Sequence, residues 1–75
     1  MDEIEEAKLV YGLGKTLIAE FKDKKTLEDH VVWAIEDLED ALFDLKESVI
    51  GGDLAWLRYY SLECRSLIKV MQQLL

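Results

Sequence analysis

The sequence has no proline, and its four glycines fall in two places, Gly12 with Gly14 and the pair Gly51-Gly52. With no proline to interrupt the backbone, long helices are open to most of the chain. A single cysteine, Cys64, excludes an internal disulfide, and no Cys/His cluster has the spacing of a zinc site. No apolar run approaches the roughly 18 residues that a membrane span requires. Bases are scarce as well: nine Lys and Arg stand against 16 Asp and Glu, a formal net charge of −7. That balance opposes direct binding to a nucleic-acid backbone or an anionic membrane, both of which select basic patches. The acidic opening, Met1 to Glu6, lacks the apolar stretch of a secretory signal, and with the lone thiol it predicts a cytoplasmic setting.

Apolar residues are abundant: 51% of 75 positions. A chain this short buries only roughly 60% of the surface its unfolded form exposes. Domains of this size usually rely on a disulfide, a metal or a partner chain. Since no disulfide can form and no metal cluster is legible, the composition points to a partner.

The apolar positions repeat with helical spacing throughout. Ile4, Ala7, Tyr11, Gly14, Ile18 and Phe21 alternate three and four apart, a coiled-coil-like seam. Leu27, Val31, Ala34, Ile35, Leu38, Leu42, Leu45 and Val49 form a second seam, and Leu54, Leu57, Ser61, Cys64, Ile68, Met71 and Leu75 a third. Gly51-Gly52 reads as a left-handed helix end, with Asp53 capping the helix that follows. At the other junction, Lys22, Lys24 and Lys25 suit a helix C-terminus, and Thr26 with Asp29 makes a loose capping box. The pattern predicts one all-α domain over 1–75, with helices at about 3–23, 27–50 and 53–74. Turns this short impose an up-down-up antiparallel order.

The surplus of apolar surface is more telling than the seams. Leu9, Val10, Leu13 and Leu17 widen the first apolar arc to roughly 220°, whereas facing its neighbours needs little more than about 100°. Val32, Phe43 and Ile50 form a separate stripe on the second helix. On the third, Tyr59, Leu62 and Val70 lie off a main face that carries Trp56, Tyr60 and Leu67. The preferred reading is therefore homo-oligomerisation, a dimer being favoured, in which helices of two chains complete a larger bundle. Leu9, Leu13 and Tyr59 are the expected self-association contacts, and Val32, Trp33 and Phe43 the residues expected to meet a partner. Gly14, on the seam beside Ala7, is expected to admit another backbone closely, since glycine inside a helix costs about 1 kcal/mol relative to alanine.

Charge is concentrated on the second helix. Residues 26–50 hold eight acids and only Lys46. Asp29, Glu36, Asp37, Asp40, Asp44 and Glu47 share its outer face, with Trp33 among them. Two further functions could use that face. It could mimic a phosphate array and inhibit a protein with a basic surface, or it could hold hard cations in an all-α metal-dependent enzyme. The second needs carboxylates on at least two facing helices, and the third helix offers only Asp53 and Glu63. Gly14-Lys15-Thr16 resembles the end of a phosphate-binding loop, but Leu9 occupies the required glycine position and the segment reads as helix. His30 stands alone at the edge of an apolar arc, and Cys64 on a core face is inert. The reading that follows is a small acidic helical protein–protein interaction module, an adaptor, regulator or assembly subunit, with no catalysis and no cofactor.

Overall fold

The computed structural model describes residues 2–24 and 27–74, and nearly all of them are helical. Helix α1 spans Glu3–Lys22, α2 spans Asp29–Gly51 and α3 spans Leu54–Gln73. No strand occurs among the described residues. The fold is all-α, as the periodicity predicts.

Each helix end has a local cause. Asp2 caps α1, its side chain accepting a hydrogen bond from the Glu5 backbone N–H at 2.8 Å. The sequence signal for this cap is an N-cap acid followed three residues later by glutamate. Gly52 ends α2 in the left-handed region, φ 70°, with its N–H donating to the Ser48 carbonyl. Asp53 then caps α3, accepting from the backbone N–H groups of Ala55 and Trp56. The α1–α2 junction differs from expectation. Helix α2 starts at Asp29, two residues later than Leu27, and Glu28 occupies the N-cap with no side-chain hydrogen bond. Thr26, expected to open a capping box, lies outside the described residues, as do Lys25 and Leu75.

The helices lie side by side in a body of 38 × 19 × 17 Å. Gly14 of α1 packs on Leu42 of α2, while Ala7 and Tyr11 share a cleft with Leu45 and Val49; residue numbers rise on one helix as they fall on the other, so α1 and α2 are antiparallel. Arg58 and Arg65 of α3 pair with Glu3 and Glu6 of α1, so α1 and α3 run parallel. Up-down-up is the arrangement. Phe21, Leu38, Leu42, Leu45, Leu57, Cys64 and Met71 are the largest wholly buried side chains. Leu27, Ala34, Val49, Tyr60 and Leu67 pack around this core at partial exposure.

Three details of packing correct the sequence reading. The group that closes on Gly14 is the Leu42 side chain rather than a backbone: an added Cβ would stand 2.8 Å from Leu42 Cδ1. Ile4 and Leu54, placed on the seams, are exposed, because each lies in a first helical turn with no neighbouring turn beyond it. Trp56, placed on the main face of α3, is more than half exposed, lying about 100° around the helix from buried Leu57.

Candidate interaction surfaces

Two different surfaces flank α3, and they separate Leu9 and Leu13 from Tyr59. The first is a groove of ≈ 670 Å³ between α1 and α3, lined by Leu9, Leu13, Leu62, Arg65 and Lys69, with Val10 and Ile68 also lining it. Val10 and Ile68 are buried, whereas Leu9, Leu13 and Leu62 remain 55%, 60% and 66% exposed. The reason is geometric. Leu9 and Leu13 sit on the edge of the α1 arc that turns away from α2, and α3 presents Arg65 and Lys69 there instead of a covering apolar side chain. Leu62 carries the apolar surface across to α3, a continuity that sequence spacing within one helix could not reveal.

Arg65 donates to Glu6 across this groove. Below it, Arg58 Nε donates to Glu3 Oε1 at 2.6 Å, and that hydrogen bond, with the carboxylate charge, raises the guanidinium above its usual value. Solvent-exposed pairs of this kind contribute little stability; their effect is to fix the parallel register of α1 and α3. A third pair, Lys22 with Glu39 at 3.4 Å, joins α1 to α2.

The second surface lies along the seam of α2 and α3. Trp56, Tyr59 and Tyr60 form an aromatic cluster: Trp56 stacks with Tyr60 at 5.6 Å between ring centroids, and Tyr59 meets both edge-on. Trp56 and Tyr59 are more than half exposed. Tyr60 is half-buried, and that burial, the carboxylates of Asp44 and Glu63, and neighbouring Tyr59 raise its phenol above the usual value. Of the three expected self-association contacts, Tyr59 therefore stands on a different surface from Leu9 and Leu13, since it does not line the α1–α3 groove.

The six acids expected on the outer face of α2 differ in exposure. Asp29, Glu36, Asp37, Asp40 and Glu47 are exposed and Asp44 is half-buried. Among the described residues none of the six forms an ion pair. Trp33 is more than half exposed among them, and Phe43 equally so on the side toward α1. Val32 departs from expectation, being half-buried rather than outward. It lies only about 60° around the helix from buried Ile35, at the rim of the core.

The remaining chemistry is sparse. His30 stays largely in solvent, with Nδ1 3.3 Å from Glu28. Gly14, Lys15 and Thr16 lie inside α1, where their amides serve the helix, and Thr16 Oγ1 donates to the Gly12 carbonyl. Burial, reinforced by Glu63 and Asp44, pushes the Cys64 thiol up to about 11. Among the described residues no three His, Cys, Asp or Glu converge to hold a metal ion, and no helix is long and apolar enough to cross a membrane. No family model matches the chain, and no curated protein or solved structure matches it either.

Proposed function

We propose that this chain is a small cytoplasmic protein–protein interaction module, non-catalytic, that self-associates as a dimer through the α1–α3 groove. The observation that carries the reading is the continuous strip of Leu9, Leu13 and Leu62, each more than half exposed, over the buried floor of Val10 and Ile68. In a two-fold dimer the strip meets its own copy, and the helices of two chains extend the bundle. Covering the exposed halves of six leucines contributes roughly 6–9 kcal/mol at about 1–1.5 kcal/mol each. Association opposes this with about 4–15 kcal/mol of lost freedom. The surplus is at best about 5 kcal/mol, so the dimer is weak, with a Kd on the order of 0.2 mM, and assembles with protein concentration.

Analytical ultracentrifugation from about 5 to about 500 µM tests this. The expected result is a concentration-dependent shift from monomer to dimer, lost in Leu9→Asp/Leu62→Asp with helicity unchanged. A wild-type chain that remains monomeric over the whole range overturns self-association.

A further inference from the structure

We propose that the seam of α2 and α3 is a docking face for a basic helix of another protein, one carrying arginines at three- and four-residue spacing. This deepens the reading of the chain as an interaction module by assigning a partner chemistry to its second surface.

The face joins two observations. Trp56 and Tyr59 are more than half exposed at one end of it, and Trp33 is so toward the other. Between them, Asp37, Asp40, Asp44 and Glu47 succeed one another by three, four and three residues along α2, with Glu63 added from α3. Glu63 follows Tyr59 by four residues on α3, and the charges of Asp44 and Glu63 add to burial in raising the Tyr60 phenol, so these two carboxylates share one site with the aromatic cluster.

The lysines and arginines are segregated from it. Helix α2 has one, Lys46, which lines the cleft with Ala7, Lys8 and Tyr11 of α1. Helix α3 has three: Arg58 and Arg65 are held by Glu3 and Glu6, and Lys69 lines the α1–α3 groove. Every lysine and arginine of α2 and α3 thus lies toward α1, and the carboxylates and aromatics of the seam on the other side have no lysine or arginine among them. Its complement is a cation that also stacks on rings, which describes arginine better than lysine. A carboxylate stripe with one acid per turn matches a second helix with one base per turn, both rising 1.5 Å per residue. The span from Trp33 to Asp44, roughly 16 Å at that rise, accommodates about three turns. A second copy of this chain is a poor occupant. Its two arginines are already paired, and a base-to-acid contact between unlike faces would propagate as an open chain of molecules.

The test titrates wild-type protein with a synthetic helical peptide bearing arginine at positions i, i+3, i+7 and i+10, in about 0.15 M salt, with calorimetry as the readout. Saturable binding at micromolar peptide is expected. A scrambled peptide of the same composition should bind about tenfold more weakly, and a lysine version should also be weaker. Trp56→Ala/Tyr59→Ala should weaken binding about tenfold, and Asp40→Lys/Glu63→Lys should abolish it. Glu20→Lys/Asp23→Lys changes net charge equally but away from the face, and should bind like wild type. Circular dichroism confirms that each variant folds. Equal affinity for ordered and scrambled peptides, wild-type affinity in the aromatic variant, or no heat at about 200 µM peptide overturns the assignment. So does a loss of self-association in Asp40→Lys/Glu63→Lys, which would make the seam a contact between copies. If the peptide fails while the wild-type dimer persists, this assignment alone falls and the α1–α3 reading stands.

Discussion

At the scale of single residues, the two glycines inside α1 make opposite predictions from the same substitution. Alanine is favoured over glycine in a helix interior by about 1 kcal/mol. At Gly12 an added Cβ meets nothing within 4 Å, so Gly12→Ala should stabilise the protein by about that amount. At Gly14 the methyl would stand under 3 Å from both Leu42 methyls, and Leu42 is 1% exposed with little room to move. Overpacking of this kind costs about 1–3 kcal/mol, which outweighs the propensity gain, so Gly14→Ala should lower stability by about 1 kcal/mol. Urea denaturation of the two variants checks the contrast in sign. Cys64 gives a prediction in pH. Its thiol is held up to about 11 against an ordinary 9.0, so the unfolded chain ionises first. Stability should be intact below about pH 9 and decline as pH rises through about 11. Tyr60, raised in the same direction, adds to the loss. Denaturation midpoints measured across that range should fall less steeply in Cys64→Ala than in the wild type. The sequence places both Gly14 and Cys64 on core faces because their seams repeat regularly. It does not name Leu42 as the neighbour, since that depends on how deeply two helices mesh.

At the scale of the elements, end chemistry decides how much is legible. Gly51-Gly52-Asp53 carries its own instructions, a left-handed stop followed at once by a cap, and the α2–α3 junction is found within a residue of its expected place. Asp53→Ala removes the acceptor for two α3 backbone N–H groups and should cost about 1 kcal/mol. Asp53→Asn keeps an acceptor and should retain most of that stability, a distinction that thermal unfolding of the pair would read. The α1–α2 junction has neither glycine nor proline, and there the start of α2 is found two residues late, at Asp29, after a Glu28 whose side chain makes no capping hydrogen bond. Exposure at the helix ends has the same origin. Ile4 and Leu54 satisfy the apolar period, yet each stands in a first turn and remains exposed. Period tells which way a side chain points; only the lengths and offsets of the other helices tell whether anything is there to meet it.

At the scale of the whole molecule, the surplus of apolar surface is legible from the width of each arc, but its division into two surfaces is not. Leu9 and Leu13 find Leu62 only because α3 runs parallel to α1 on one side, and Tyr59 joins Trp56 and Tyr60 instead because the seam with α2 lies on the other. The segregation of charge emerges at this scale too: the lysines and arginines of α2 and α3 lie toward α1, leaving carboxylates and aromatics on the seam. This separation gives the two proposed interactions opposite responses to salt. Two copies of the chain each bear a formal −7, so their approach through a leucine strip is opposed by mutual repulsion. Raising ionic strength shortens the Debye length from about 30 Å at 0.01 M to about 8 Å at 0.15 M, and dimerisation should strengthen. A basic helix on the seam is drawn by attraction between opposite charges, which the same salt screens, so its affinity should fall. Sedimentation and peptide titration over one salt series should therefore diverge. If both interactions weaken together as salt rises, the leucine strip is not what holds two copies together, and the dimer rests on charge instead.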